Sequence, residues 1–135
     1  MFSDNPYFES VDNWVIVWIG DLDVDDLDDY LDEPGGAGDN EPISEFCRDV
    51  GRWYDHDFIW AEGVNDKVPV RKLCELNGVE PNEFVNEIVE RSGNAGAKSL
   101  LVLWNAKRTD ESERPFADGR LKCIGCWERE SPLTD

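Results

Sequence analysis

The chain has 135 residues, 40% of them apolar, with 31 acidic and 13 basic side chains and a formal charge of −18 at pH 7. That length fits one domain able to bury a core without metals or disulfides, and six Trp with six Phe exclude a compositionally disordered chain. Residues 1–47 hold fourteen Asp or Glu and no Lys or Arg, a one-signed field that repels nucleic acid and anionic membranes and favours cationic protein surfaces.

No run approaches the eighteen or more apolar residues of a membrane span. Met1-Phe2-Ser3-Asp4 lacks the basic start and apolar core of a signal peptide, so a cytoplasmic protein is expected. Residues 1–12 read as an irregular N-terminal arm whose Phe2, Tyr7 and Phe8 pack back on a domain over 13–128. Trp14-Val15-Ile16-Val17-Trp18-Ile19 is a near-continuous apolar run, which predicts a strand at 13–19 buried on both faces. Gly20 ends it.

Asp21 to Glu33 contains eight acidic residues in thirteen. A helix over 24–32 is expected, with Asp23 as its N-cap and Val24, Leu27 and Leu31 as a narrow apolar stripe. Asp25, Asp26, Asp28, Asp29 and Asp32 cover the rest of the helix surface. Like charges at these spacings cost about 0.2–0.5 kcal/mol per pair, so local stability does not explain the composition. Two readings remain: a merely soluble acidic face, or a surface that meets Lys and Arg on a partner protein. A calcium-binding EF-hand reading fails at Asp26, Asp28 and Asp32, where the loop needs glycine, an apolar residue and a bidentate Glu.

Pro34 to Asn40 reads as a loop. Ile43, Phe46, Cys47 and Val50 mark a second helix stopped by Gly51. A strand is expected at 56–61, with Tyr54, His56, Phe58 and Trp60 on one face and Asp55, Asp57 and Ile59 on the other. Asp55, Asp57 and Trp60 form a candidate contact patch. His56 points away from both carboxylates in that geometry, and no catalytic constellation surrounds it. Gly63 to Lys67 reads as a loop. Val70, Leu73 and Cys74 predict a third helix ended by Asn77-Gly78, and Pro81 opens a fourth with Phe84, Val85, Ile88 and Val89 buried.

Ser99 to Trp104 predicts a second central strand beside the first. Residues 105–118 read as a polar loop. Arg120 to Trp127 predicts a strand with Leu121, Cys123, Gly125 and Trp127 on one face, and 129–135 a frayed tail. The expected fold class is α+β, a single small domain with a mixed or antiparallel sheet of about three to five strands packed with about four helices. Cys123 and Cys126 have a zinc-like spacing. In a regular strand they point to opposite faces, and Cys47, Cys74 or His56 would have to converge on them to complete a site. No metal, cofactor or catalytic residue is expected.

Four segments in order resemble the immunity protein 22 family of bacterial polymorphic-toxin systems. They are Val15 to Gly20 followed by the acidic helix ending near Tyr30-Leu31, Phe46 to Val50 leading to Tyr54 to Ile59, Leu100 to Asn105, and Leu121 to Gly125. The resemblance implies a non-enzymatic protein that binds and neutralises a cognate toxin, in such systems often a nuclease. The partner would present a basic surface to Asp25, Asp28, Asp29, Asp32, Asp55, Asp57 and Trp60. An acidic adaptor or DNA-mimic protein outside toxin systems is the alternative, followed by a metal-dependent enzyme or Ca²⁺ sensor.

Overall fold

The computed structural model describes residues 7–31, 45–50, 59–79, 82–93, 96–109 and 116–128. In chain order these form β1 (Phe8–Gly20), α1 (Val24–Leu31), α2 (Glu45–Val50), β2 (Ile59–Pro69), α3 (Val70–Asn77), α4 (Asn82–Arg91), β3 (Gly96–Arg108), a 3-10 turn at Phe116–Gly119, and β4 (Leu121–Glu128). The four strands make one sheet in the order β2-β3-β1-β4, and every neighbouring pair is antiparallel. The fold class is α+β. Among the described residues, no helix is long and apolar enough to cross a membrane.

The apolar run of β1 makes both sides of the sheet core. Ile16 and Trp18 point to one side, with Leu101 and Leu103 of β3, Leu27 and Tyr30 of α1, Phe46 of α2 and Phe116 of the 3-10 turn. Val15 and Val17 point to the other, with Leu100 and Val102 of β3 and Val70, Leu73, Val85 and Ile88 of α3 and α4. Val15 to Trp18 are each 0% exposed. Full burial of one such side chain contributes about 1.5–3 kcal/mol. Trp18 centres the first cluster, its ring edge-on to Phe46 at 5.1 Å and to Phe116 at 5.4 Å.

Several boundaries differ from the sequence reading. β1 begins at Phe8, where Phe8, Glu9 and Ser10 pair with Arg108, Lys107 and Ala106, so residues 8–12 are strand and not arm. Tyr7 and Phe8 pack on the core as expected; Phe2 lies outside the described residues. The pairing breaks between Ser10 and Val15. There Asn13 and Asn105 take left-handed backbones, φ 72° and 57°, and the Asn13 N–H donates to Asn105 Oδ1 at 3.1 Å. Asn tolerates that conformation better than other side chains do. The polar character of these positions therefore marks a bulge inside two strands, not their ends.

The segment Gly63 to Lys67 belongs to β2, not to a loop. Its pairing with β3 jumps from Gly63 opposite Ser99 to Val68 opposite Ala97, and its Gly, Asn and Asp residues mark that irregularity. β3 likewise continues to Arg108 because Ala106 fills the core, and Phe116 and Ala117 are buried, so 105–118 is not uniformly a loop.

β4 carries a third irregularity. Gly125 stands opposite Val17 and Cys123 opposite Trp18, leaving Ile124 as the extra residue. A bulge reverses side-chain parity. Leu121 and Cys123 therefore face the first cluster while Trp127 joins the second; the four residues expected on one face are divided. Gly125 leaves room for Arg91. A Cβ there would stand 2.9 Å from the Arg91 guanidinium, which stacks on Trp127 at 4.2 Å.

At the end of β1, the Asp21 N–H donates to the Arg120 carbonyl at 2.9 Å, and a Cβ on Gly20 would overlap that same carbonyl oxygen. Gly20→Ala should thus destabilise the fold by about 1–3 kcal/mol through overpacking, read as a lower urea midpoint with unchanged slope. A midpoint equal to wild type would contradict this close approach of β1 and β4.

Candidate partner-binding surface

α1 is placed by contacts at its start and anchored by its inner face. The Leu22 N–H donates to Oγ of the fully buried Ser99 at 3.2 Å. The Asp23 carboxylate accepts from the Asp26 N–H at 2.9 Å, the expected N-cap. The buried stripe is Leu27 and Tyr30 with Leu31 packed beside them; Val24 is exposed. Spacings of three and four residues from Leu27 define the face, and Val24 is the residue that the sheet edge leaves uncovered.

Beneath α1, Tyr30 Oη donates to Asp49 Oδ2 at 2.6 Å, and the Ala117 N–H donates to the same oxygen at 2.9 Å. One carboxylate thus joins α1, α2 and the 3-10 turn, where Ala117 and Asp118 hold left-handed backbones of φ 50° and 56°. Burial, reinforced by the hydrogen bond and negative charge of Asp49, pushes the Tyr30 hydroxyl well above its ordinary pKa. Sequence reading missed Asp49. Its signal was an acidic residue three after Phe46, on the inward side of a short helix.

The acidic residues around α1 separate into two groups. Asp26 accepts from the Arg120 guanidinium at 2.6 Å, and Asp21 meets Lys67 at 3.8 Å. The hydrogen bond that Arg120 donates to Asp26 raises the Arg120 pKa, and the charges of Asp26, Asp23 and Asp21 add to it. Asp25, Asp28 and Asp29 are exposed. They follow the three- and four-residue spacing of one helix face, and among the described residues no Lys or Arg pairs with them. The Arg120 pairing, 94 residues distant from Asp26, has no local signal.

Trp60 does not join this surface. It is 37% exposed and stands edge-on to Trp104 at 4.9 Å, in the layer of α3 and α4. α1 covers the opposite face of the sheet. Asp32, Asp55 and Asp57 lie outside the described residues, as do His56 and the start of the strand expected at 56–61. β2 begins with Ile59 and Trp60 facing opposite sides.

Burial raises the Cys74 thiol to a pKa of about 11. It also raises Cys126, although the Arg108 N–H and the charges of Arg108 and Lys107 act in the other direction. Cys74 belongs to the α3 and α4 cluster while Cys123 and Cys126 pack on the opposite side, so Cys74 cannot complete a metal site with them. Among the described residues, no three His, Cys, Asp or Glu side chains gather as a metal site does.

The raised Tyr30 pKa fixes a pH dependence. The unfolded tyrosine loses its proton near pH 10, whereas the folded one keeps it, so the unfolded state binds fewer protons and stability falls as pH rises above about 10. Below pH 10 this contribution is complete. Tyr30→Phe should cost about 0.5–1.5 kcal/mol at pH 7 and should flatten the decline between pH 10 and 11 in urea titrations. Equal slopes in wild type and variant would contradict the assignment.

No family model, curated protein or solved structure matches this chain.

Proposed function

We propose that the chain is an immunity protein that neutralises a cognate bacterial toxin by presenting the outer face of α1 to a basic surface on it. The observation that carries this reading is the division of the carboxylates in and just before α1. Those near the strand ends are used inside the fold, by Arg120 and Lys67. Asp25, Asp28 and Asp29 instead stand together on the outside. They add repulsion to a short helix, and among the described residues no cation offsets that cost. A basic partner supplies the offset, through faster encounter and complementary charge.

A nuclease fits because its nucleic-acid site is cationic, and an acidic inhibitor can occupy or overhang it. The ordered segments that resemble immunity protein 22 support the same reading. On this account the chain acts by binding alone and has no catalytic residue. Trp60, on the opposite face of the sheet, is not part of the primary contact.

The test uses the C-terminal domain encoded by the adjacent upstream reading frame. Co-expression with the wild-type chain should rescue growth. The Asp25→Asn, Asp28→Asn and Asp29→Asn triple variant should bind about tenfold or more weakly, mainly through a lower association rate with less salt dependence. Its urea midpoint should be unchanged or slightly higher. Failure of the wild type to bind that domain, with recovery of a DNA-binding regulator from the cell instead, supports the acidic adaptor or DNA mimic.

A further inference from the structure

The segment between β1 and α1 is held by three other parts of the sheet in succession. The Asp21 N–H donates to the Arg120 carbonyl just before β4. The Leu22 N–H donates to Ser99 Oγ of β3 at 3.2 Å, and the Val24 N–H to Asn65 Oδ1 of β2 at 3.4 Å. With the strands ordered β2-β3-β1-β4, residues 21–24 cross the sheet from the β4 side to the β2 edge. α1 begins where that crossing ends.

The sheet is shaped for the crossing. Ser99 stands opposite Gly20 on one side and Gly63 on the other, so three small residues form one row across β1, β3 and β2. A Cβ on Gly63 would lie 3.0 Å from Leu27 Cδ2, 3.5 Å from the Val24 Cα and 3.6 Å from the Asp23 carbonyl oxygen. The start of α1 thus rests directly on β2, at a height that the branches of a larger side chain would not allow. Ser99 and Leu22 are both buried, and without Oγ the Leu22 N–H would be left unsatisfied. α1 is tied again at its other end, through Tyr30 and Asp49. Asp25, Asp28 and Asp29 stand between the two ties, so the direction of their face depends on where the first turn sits.

We infer that Ser99 and Gly63 are positioning residues for the acidic contact face, fixing the height and direction at which α1 leaves the sheet; the inference rests on the proposed function. Both residues are uncharged and lie beneath the helix. Long-range steering depends on charge, whereas the lifetime of a docked complex depends on how well the two surfaces fit. Loss of either residue should therefore leave the encounter rate intact and shorten the life of the complex.

Residual dipolar couplings of the free chain read the orientation of α1 against the sheet. In Ser99→Ala and Gly63→Val the Val24–Leu31 couplings should depart from wild type while those of β1 and β3 stay. With the C-terminal domain encoded by the adjacent upstream reading frame, association should remain within about twofold of wild type and dissociation should be about tenfold faster. Val85→Ala, a neutral change in the α3 and α4 layer, should lower the urea midpoint and alter neither the α1 couplings nor the dissociation rate. Asn65 is exposed, so Asn65→Ala keeps the test open if the buried variants fail to fold; it should shift the same couplings and speed dissociation about threefold. Wild-type α1 couplings or wild-type dissociation in the folded variants, or equally fast dissociation in Val85→Ala, overturn the positioning role and leave the proposed function standing. A wild-type chain that does not bind the domain overturns the proposed function and the positioning role with it.

Discussion

The burial of β1 on both faces is the constraint on which the remaining structure depends. Val15 and Val17 face one layer of helices, Ile16 and Trp18 the other. A strand of this kind is stable only when both sides are covered. The chain meets that need with α1, α2 and the 3-10 turn on one side and α3 and α4 on the other. α1 is thus held by what lies beneath it: Leu27 on the sheet, and Tyr30 on the Asp49 carboxylate that also fixes the Ala117 backbone. Its outer face takes no part in that packing. The fold can therefore carry a repulsive acidic face without depending on it.

How much of this could be read from the sequence varied with the range of the interaction. The central positions of 14–19 and 99–104 were legible, because continuous apolar runs have few other placements. So was α3, with Val70, Leu73 and Cys74 at helical spacing and Gly78 at its end in a left-handed conformation. The three sheet irregularities were not. Asn13 with Asn105, Gly63 to Val68, and Ile124 all resemble loop or ordinary strand residues until the pairing partner is known. In β4 the consequence was a reversed face for every residue beyond the bulge.

The proposed contact surface shows the same division. Asp25, Asp28 and Asp29 were recognisable from helical spacing, since exposure on a short amphipathic helix is a local property. Trp60 was grouped with the acidic residues because nothing in the sequence says which face of the sheet α1 will cover. Asp26 was indistinguishable from its neighbours until Arg120 was found beside it. Among the described residues the geometry leaves Asp25, Asp28 and Asp29 as the unpaired acidic face of α1 and puts Trp60 on the opposite side of the sheet.

Hydrogen–deuterium exchange on the chain mixed with the C-terminal domain encoded by the adjacent upstream reading frame tests the proposal most directly. New protection over Val24–Leu31 and the adjacent 3-10 turn, with Val70–Asn77 and Asn82–Arg91 exchanging as in the free chain, is the predicted footprint. Protection confined to α3, α4 and the Trp60 side of β2 would contradict the account and move the interface to the opposite face of the sheet.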